Sequence, residues 1–377
     1  GGGHEQRDAP RLGGHPGERG CEKGDGEESG PHAEILPHLN GIESRVVSVS
    51  RLRIGVVGCG HWGPNHIRVF SQLSDSVVVA AADPDPKRRA VVSAQFPGVV
   101  VVEDYRELVG RDDVDAVVVC VPTRKHDEVT RAALEAGKHV LCEKPLTETA
   151  AQAQALADLA SARGVTLMTG HVFLFNPGIL KLREIITAGG AGRIHYLRAQ
   201  RTNLGPIRKD VNSVYDLASH DISIFNFLLD AEPLTASAVG AAFLQPGIED
   251  VAFITLTYPN GVIAAIQVSW LDPKKLREIV VVGDQKMVVW DELAPAGPIS
   301  IYDKSVVREQ YYDDYGQFHL LAREGDLTIP RVPPQEPLKV QNQAFVSAVR
   351  SGHLEKSDGR FSVGVVRVLE AIAQSLA

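Results

Sequence analysis

From Arg51 to about residue 164 the chain alternates short Val-rich runs with stretches of helical spacing. RIGVVG predicts a strand, followed by a helix over about residues 64–73. SVVVAAAD predicts a second strand, followed by the helical PKRRAVVSAQF; DAVVVCVP and KHVLCEKP predict two more, each beside a helical segment. Runs that stay apolar at every position are what strands covered on both faces require. Strand–helix alternation of this kind predicts a parallel, doubly wound sheet.

After residue 164 the rhythm changes. RIHYLRAQRT, LTASAVGAAFL, EDVAFITLTYP, GVIAAIQVSWL, LREIVVVG and QKMVVWDE follow one another with little helix between them, and YPNGV carries an Asn-Gly hairpin signal. This predicts a large, mainly antiparallel sheet, with helices near residues 177–188 and 217–229. A Pro-rich linker, IPRVPPQEPL, precedes two closing helices at about 340–350 and 361–375. The predicted organisation is a disordered extension over 1–50, a parallel α/β domain over 51–170, a sheet-rich α+β domain over 171–340 and closing helices over 341–377.

Composition narrows the class. Of 377 residues, 44% are hydrophobic and 23% charged, as in globular proteins, and a chain this long predicts more than one core. The net charge of −8 gives no reason to expect nucleic acid as a partner. No apolar run approaches the ~18 residues of a membrane span, and residues 1–50 lack an apolar signal core. Cys21, Cys59, Cys120 and Cys142 have no paired spacing, which suits reduced thiols and a cytoplasmic setting. His4, His15, His32 and His38 are irregularly spaced, so no metal site is expected.

Gly58-Cys59-Gly60-His61-Trp62-Gly63 fits G-x-G-x-x-G between a predicted strand and a predicted helix. Such glycines serve a tight turn, the approach of a pyrophosphate to the backbone, and close helix–strand packing. Pro64 suits a first helical turn, where no N–H is needed. Asp83 ends the second strand twenty residues after Gly63, where a carboxylate can accept ribose hydroxyls. That favours NAD, although Lys87 and Arg88 could tolerate the 2'-phosphate of NADP. A ligand-free turn and a helix-capping Asp83 are the bland alternative.

Two stretches carry candidate chemistry. CEKPL, Cys142 to Leu146, follows a strand at the carboxyl edge of the sheet, where Lys144 could polarise a substrate oxygen or simply be a surface lysine. In YDLASHDISIF, Asp216 and His220 are four apart at a predicted helix start, so they share a face. A carboxylate beside an imidazole suits proton transfer at neutral pH; a capping Asp beside a half-buried His gives the same pattern.

GCGHWGPNH, CVPTRKH, CEKP and DLASHD, in this order, resemble the Gfo/Idh/MocA oxidoreductases over essentially everything after residue 50. The resemblance implies a Rossmann domain followed by a sheet-rich domain, and catalysis by Lys144, Asp216 and His220. It puts Trp62, Asn65 and the Gly58–Gly63 turn (His61 included) near the pyrophosphate, and Pro122, Thr123, His126 and Glu143 on the cofactor side. His126 is equally a helix-start histidine. Asp221 is expected to be structural.

RTNLGPIRKDVNSVYDLASHD and VSWLDPKKLREIVVVGDQKMVVWDE resemble the branch acting on nucleotide-linked sugars, such as UDP-N-acetylhexosamine 3-dehydrogenases. That implies Arg201, Asn203, Arg208 and Lys209 on the substrate side, with Asn176 hydrogen-bonding a sugar hydroxyl. Arg201 as a solvated strand residue, IRKD as an exposed loop and Asn176 as a turn residue remain open. The expected function is NAD(P)-dependent hydride transfer at a secondary alcohol or ketone of a sugar, at C3 of a nucleotide-linked hexose. A free cyclitol or aldose dehydrogenase, resembling inositol dehydrogenase, and a non-catalytic dinucleotide sensor are the rivals. The resemblance also implies a homodimer or homotetramer built through the second sheet.

Overall fold

A computed structural model describes residues 50–310 and 318–376, which belong to one unit spanning Val49–Ala377. The extension expected over residues 1–50, with Cys21 and its four histidines, lies outside the described residues except for Ser50.

The first half alternates β1 (Leu52–Val57), α1 (Trp62–Gln72), β2 (Ser76–Ala82), α2 (Pro86–Gln95), β3 (Val100–Val102), α3 (Tyr105–Val109) and β4 (Ala116–Val119). It continues with α4 (His126–Glu135), β5 (His139–Glu143), α5 (Ala150–Arg163) and β6 (Leu167–Gly170). The six strands are all parallel, in the order β3-β2-β1-β4-β5-β6. The order reverses between β1 and β4, and ligands of such sheets bind in the crevice beyond the carboxyl ends at that point. Every residue of β4 is buried, as an unalternating AVVV run requires. The sequence expectation lacked β3 and β6, the two edge strands, which are runs of only three and four residues. α5 is closed locally: Thr149 and Gln152 form a capping box, and Gly164 ends the helix at φ +64°.

The second half contains α6 (Pro177–Thr187), β7 (Ile194–Leu204), a π-helical turn (Val214–Ala218), α7 (Ser219–Leu229), β8 (Thr235–Ala241), β9 (Val251–Thr257) and β10 (Ile263–Ser269). Then come β11 (Leu271–Gly283), β12 (Met287–Asp291), β13 (Ile299–Tyr302), the ribbon β14 (Ser305–Gln310) and β15 (Phe318–Arg323), β16 (Leu327–Thr328), α8 (Pro337–Ser351) and α9 (Gly359–Leu376). The eight-stranded sheet runs β16-β13-β12-β11-β7-β10-β9-β8 and is antiparallel except where β10 pairs with β7. The predicted hairpin joins β9 to β10, with Asn260 and Gly261 both at positive φ.

One face of this sheet is covered: α9 lies against β8, and α6 against β12 and β13. Trp270 and Trp290 are fully buried in this half. α9 also packs on α5, so the closing helices join both halves. On other positions of β7–β10, Tyr196, Val239, Phe253 and Ile263 are solvent-exposed, Val239 to 75%.

Candidate active site

The Gly-rich turn leaves β1 toward α1. Gly58 sits at φ +97°, and a Cβ there would come within 2.5 Å of the Cys120 carbonyl oxygen. A Cβ on Gly63 would collide with the Gly58 carbonyl. Gly60 is different: the nearest group to its absent Cβ is Arg88 Nη1 at 3.7 Å, so the turn faces open space there. No side chain caps the α1 N-terminus at His61, and its first turn holds no acid. Uncapped N–H groups and a bare glycine are what a pyrophosphate needs, so these residues fit a dinucleotide.

Asp83, buried at the end of β2, accepts the Cys59 N–H at 2.7 Å and the Asp85 N–H at 2.8 Å, with Arg88 at 3.7 Å. It therefore ties the Gly-rich turn to β2. A cavity of about 600 Å³ lies here, lined by Gly58, Asp83, Arg88, Tyr105 and Pro122 among others. A second cavity of about 560 Å³ shares Cys120 and Val121 with it, at the end of β4, the crevice predicted by the strand order. Trp62, Thr123, His126, Glu143, Lys144, Arg201, Asn203, Arg208, Asp216 and His220 all line this second cavity.

Lys144 follows β5 directly, and its side chain is only 10% exposed. Its Nζ donates to the Asp216 carbonyl at 2.6 Å and lies 3.6 Å from Asp216 Oδ1. Burial lowers the ammonium's pKa below its ordinary range; the Asp216 charge opposes that shift and Arg208 adds to it. His220 has Nδ1 buried without a partner among the described residues, and its ring meets Phe173 edge-on at 4.8 Å. Burial, then Lys144 and Arg201, push its pKa well below the usual imidazole value. A neutral imidazole beside an ammonium can take a proton from a hydroxyl while the ammonium holds the oxygen.

The expected Asp216–His220 pairing needs correction. Asp216 lies in the π-helical turn rather than in α7, which breaks the simple i, i+4 alignment. Its Oδ1 accepts Arg208 Nη1 at 3.1 Å and its Oδ2 accepts Trp270 Nε1 at 3.3 Å. Among the described residues it makes no hydrogen bond to His220, so it organises cations rather than the imidazole.

Arg201 is no solvated strand residue. It is 3% exposed, grips Asp221 through Nε (3.0 and 3.1 Å) and Nη2 (2.7 Å), and stacks over Phe173 at 4.3 Å. Asp221 is held in place by that pair. Arg208 forks onto Asp210 at 3.0 and 2.6 Å. Asn203 donates to the Gly205 carbonyl. Lys209 is exposed and outside the cavity lining, which corrects its expected substrate-side position. Asn176 is also corrected: its side chain caps α6, accepting the N–H groups of Gly178 and Ile179, and does not reach the cavity.

His126 is buried with Nδ1 2.7 Å from the Pro145 carbonyl and Nε2 2.9 Å from that of Val121. It bridges the ends of β4 and β5, and burial lowers its pKa. Asn65 donates to the His61 carbonyl at 2.8 Å. Pro122 lines the first cavity rather than the second. The sequence reading missed Phe173, Lys275 and Arg277, which complete the wall. Phe173 sits in the apolar run HVFLF, and the two cations lie in the segment quoted for the resemblance, which singled out neither of them. Among the described residues no cluster of His, Cys, Asp or Glu could hold a metal ion, and no helix is long and apolar enough to cross a membrane.

Comparison with known proteins bears on this geometry. The family model described as "Oxidoreductase family, NAD-binding Rossmann fold" matches residues 52–171, and that of the "GFO/IDH/MocA C-terminal domain" matches residues 179–289. Inositol 2-dehydrogenase 2 of Saccharopolyspora erythraea is 29% identical over 86% of this chain and 93% of its own length. UDP-N-acetylglucosamine 3-dehydrogenase of Acidithiobacillus ferrooxidans is 33% identical over 58% of this chain and 67% of its own. The crystal structure of the latter superposes with a TM-score of 0.72, covering 86% of this chain and 97% of that one.

Proposed function

Because the chain belongs to the Gfo/Idh/MocA oxidoreductase family, we propose that this NAD-dependent dehydrogenase interconverts a secondary alcohol and a ketone at C3 of a nucleotide-linked hexose or N-acetylhexosamine. The single observation that carries the reading is that Lys144 and His220 line one cavity, beside the Cys120–Val121 edge it shares with the Gly58–Asp83 cavity. Bound NAD supplies the hydride acceptor.

In this reading His220, neutral at physiological pH, takes the hydroxyl proton at its ring nitrogen. Lys144 donates from Nζ to the same oxygen and stabilises the negative charge that develops there. Asp216 keeps Lys144 and Arg208 in place. The N–H groups of the Gly58–Gly63 turn hold the pyrophosphate, Asp83 the adenosine ribose, and Thr123 and Glu143 the nicotinamide half, with Trp62 at the rim. The dinucleotide-binding part would then cover 51–170, the substrate part 171–340 and the closing helices 341–377. The unpaired thiols of Cys59, Cys120 and Cys142 suit the cytoplasm.

Lys275 at the cavity wall supports an anionic substrate such as a sugar diphosphate, with Arg277 beside it already paired to Glu292. A specific observation favours a second reading, a free cyclitol or aldose: Arg201 and Arg208 are already neutralised by Asp221, Asp210 and Asp216. NADH formation with UDP-N-acetylglucosamine, myo-inositol and free aldoses, together with thermal shift by UDP, separates the two. Turnover of UDP-N-acetylglucosamine and stabilisation by UDP are expected; turnover of myo-inositol alone, with no UDP effect, would establish the second.

A further inference from the structure

Behind the cavity wall lies a hydrogen-bonded chain that the proposed chemistry does not use. His66 is fully buried on α1. Its Nε2 is 2.9 Å from Glu143 Oε1, and its Nδ1 is 3.2 Å from Asn342 Nδ2 on α8. An amide N–H aimed at Nδ1 makes that nitrogen the acceptor, so the ring proton sits on Nε2 and is donated to Glu143. The imidazole stacks on Phe70, one turn along α1, and Phe70 meets Phe345 of α8 edge-on. Its plane is thereby fixed as well as its tautomer.

Glu143 is the last residue of β5, and it lines the cavity beside Lys144. Its Oε2 accepts the Lys144 backbone N–H at 3.3 Å, and a Cβ on Gly170 of β6 would press on it at 3.2 Å. One carboxylate oxygen is thus held by His66 and the other by the start of the turn that carries Lys144. α1 and β6 thus close on this carboxylate of β5, and α8 reaches it through His66.

We propose that His66 is a positioning residue: pinned by Asn342, it holds the Glu143 carboxylate in the cavity wall and so sets both the cofactor's nicotinamide half and the Lys144 turn. The inference rests on Glu143 and Lys144 facing the cofactor, and not on the identity of the substrate. It also gives α8 a part in the site, because the constraint on His66 arrives from a residue 276 positions away.

His66→Leu removes the N–H that holds Glu143, whereas His66→Gln keeps an amide N–H at about the same reach while also losing the imidazole. A purely structural histidine would make both variants equally poor. NADH binding is measured by fluorescence titration, which needs no substrate, and kcat at saturating NAD follows with the substrate found in the panel above. His66→Leu is expected to raise the NADH Kd and lower kcat at least tenfold each, within the range a displaced site group costs. His66→Gln should recover both to within threefold of the parent. A His66→Leu enzyme within twofold of the parent, or a Gln variant as impaired as the Leu one, overturns the proposal. If His66→Leu does not fold, Asn342→Ala decides: the released tautomer should raise the NADH Kd at least threefold, and an unchanged Kd overturns it. A parent enzyme that fails to bind NADH would instead sink the functional reading itself.

Discussion

Lys144 reaches Asp216 at two points, the backbone carbonyl at 2.6 Å and the carboxylate at 3.6 Å. The ammonium is thus held at the end of β5 by the π-helical turn that leads to His220. Replacing Lys144 by Met should leave the fold intact and cut kcat by about 100-fold or more, as losing a donor to a developing alkoxide does. The pH profile should carry the same signature. Oxidation needs His220 neutral and Lys144 charged, and both pKa values are lowered by burial. The acid limb should therefore lie well below 6.5 and the alkaline limb below 10.5. Steady-state kcat/KM from pH 5 to 10.5 checks this, and an acid limb at 6.5 would contradict it.

Two of the three glycines of the turn should separate by mutation. Gly63→Ala drives a methyl into the Gly58 carbonyl, so the fold should lose about 1–3 kcal/mol. Gly60→Ala meets nothing closer than 3.7 Å within the protein, so stability should hold while NADH binding weakens. Urea unfolding and NADH titration of both variants are the measurements. Equal NADH affinity for Gly60→Ala and parent would mean that the open space at Gly60 is not where the pyrophosphate lies.

Arg201 and Asp221 are 3% and 1% exposed, so neither charge has water to fall back on. Asp221→Asn strands the guanidinium and should cost about 3–5 kcal/mol by chemical denaturation. Replacing both partners, Arg201→Met with Asp221→Leu, should cost much less, because no charge remains buried. A double variant as unstable as the single one would assign the pair a packing role instead.

The exposed apolar residues of β7–β10 present a surface suited to another copy of the chain. Val239 and Phe253, 75% and 55% exposed, stand opposite each other on paired strands. Val239→Glu with Phe253→Lys should shift the light-scattering mass toward that of a monomer without loss of secondary structure. A parent of monomer mass, or a mass the two changes leave unaltered, would overturn that pairing.

What the sequence made legible follows from the range of each interaction. Longer unalternating Val runs, the G-x-G-x-x-G turn and Asn260-Gly261 are local signals, and β1, β2, β4, β5, the turn and the hairpin came out as expected. The three-residue Val run of β3 was too short to be read as a strand. Arg201 lines the cavity on the expected side, but its burial could not be read, because an arginine on an alternating strand looks solvated until its partner, twenty residues on, folds over it. Asp216 and His220 are near neighbours in sequence, yet a π turn and Trp270, 54 residues away, decide where the carboxylate goes. Asn176 was misassigned for the opposite reason: its cap is local, and the expected sugar contact outweighed the turn signal. His66 ends the GCGHWGPNH motif, but its part could not be read from it, since its two partners lie 77 and 276 positions further along the chain.

Buried histidines also predict how stability depends on pH. Burial holds the His171 pKa down to about 3, with Lys144 adding to the effect, and lowers those of His126 and His220. Neither ring nitrogen of His171 has a partner among the described residues. In the unfolded chain these rings take up protons near pH 6.5, whereas in the folded one they do so only at lower pH. Between those values unfolding binds protons, so stability is complete above about 6.5 and falls as the pH drops below it. Each such histidine contributes a slope of at most about 1.4 kcal/mol per pH unit. His171→Phe keeps a ring against Phe361, which His171 meets edge-on at 5.8 Å, and removes one titrating group. The stability lost between pH 7 and pH 5 should then be about 2 kcal/mol smaller in the variant than in the parent, by urea unfolding at the two pH values. Carboxylates titrate alike in both proteins and cancel in that difference. Parallel losses in parent and variant would mean that His171 takes up its proton in the folded state as readily as in the unfolded one.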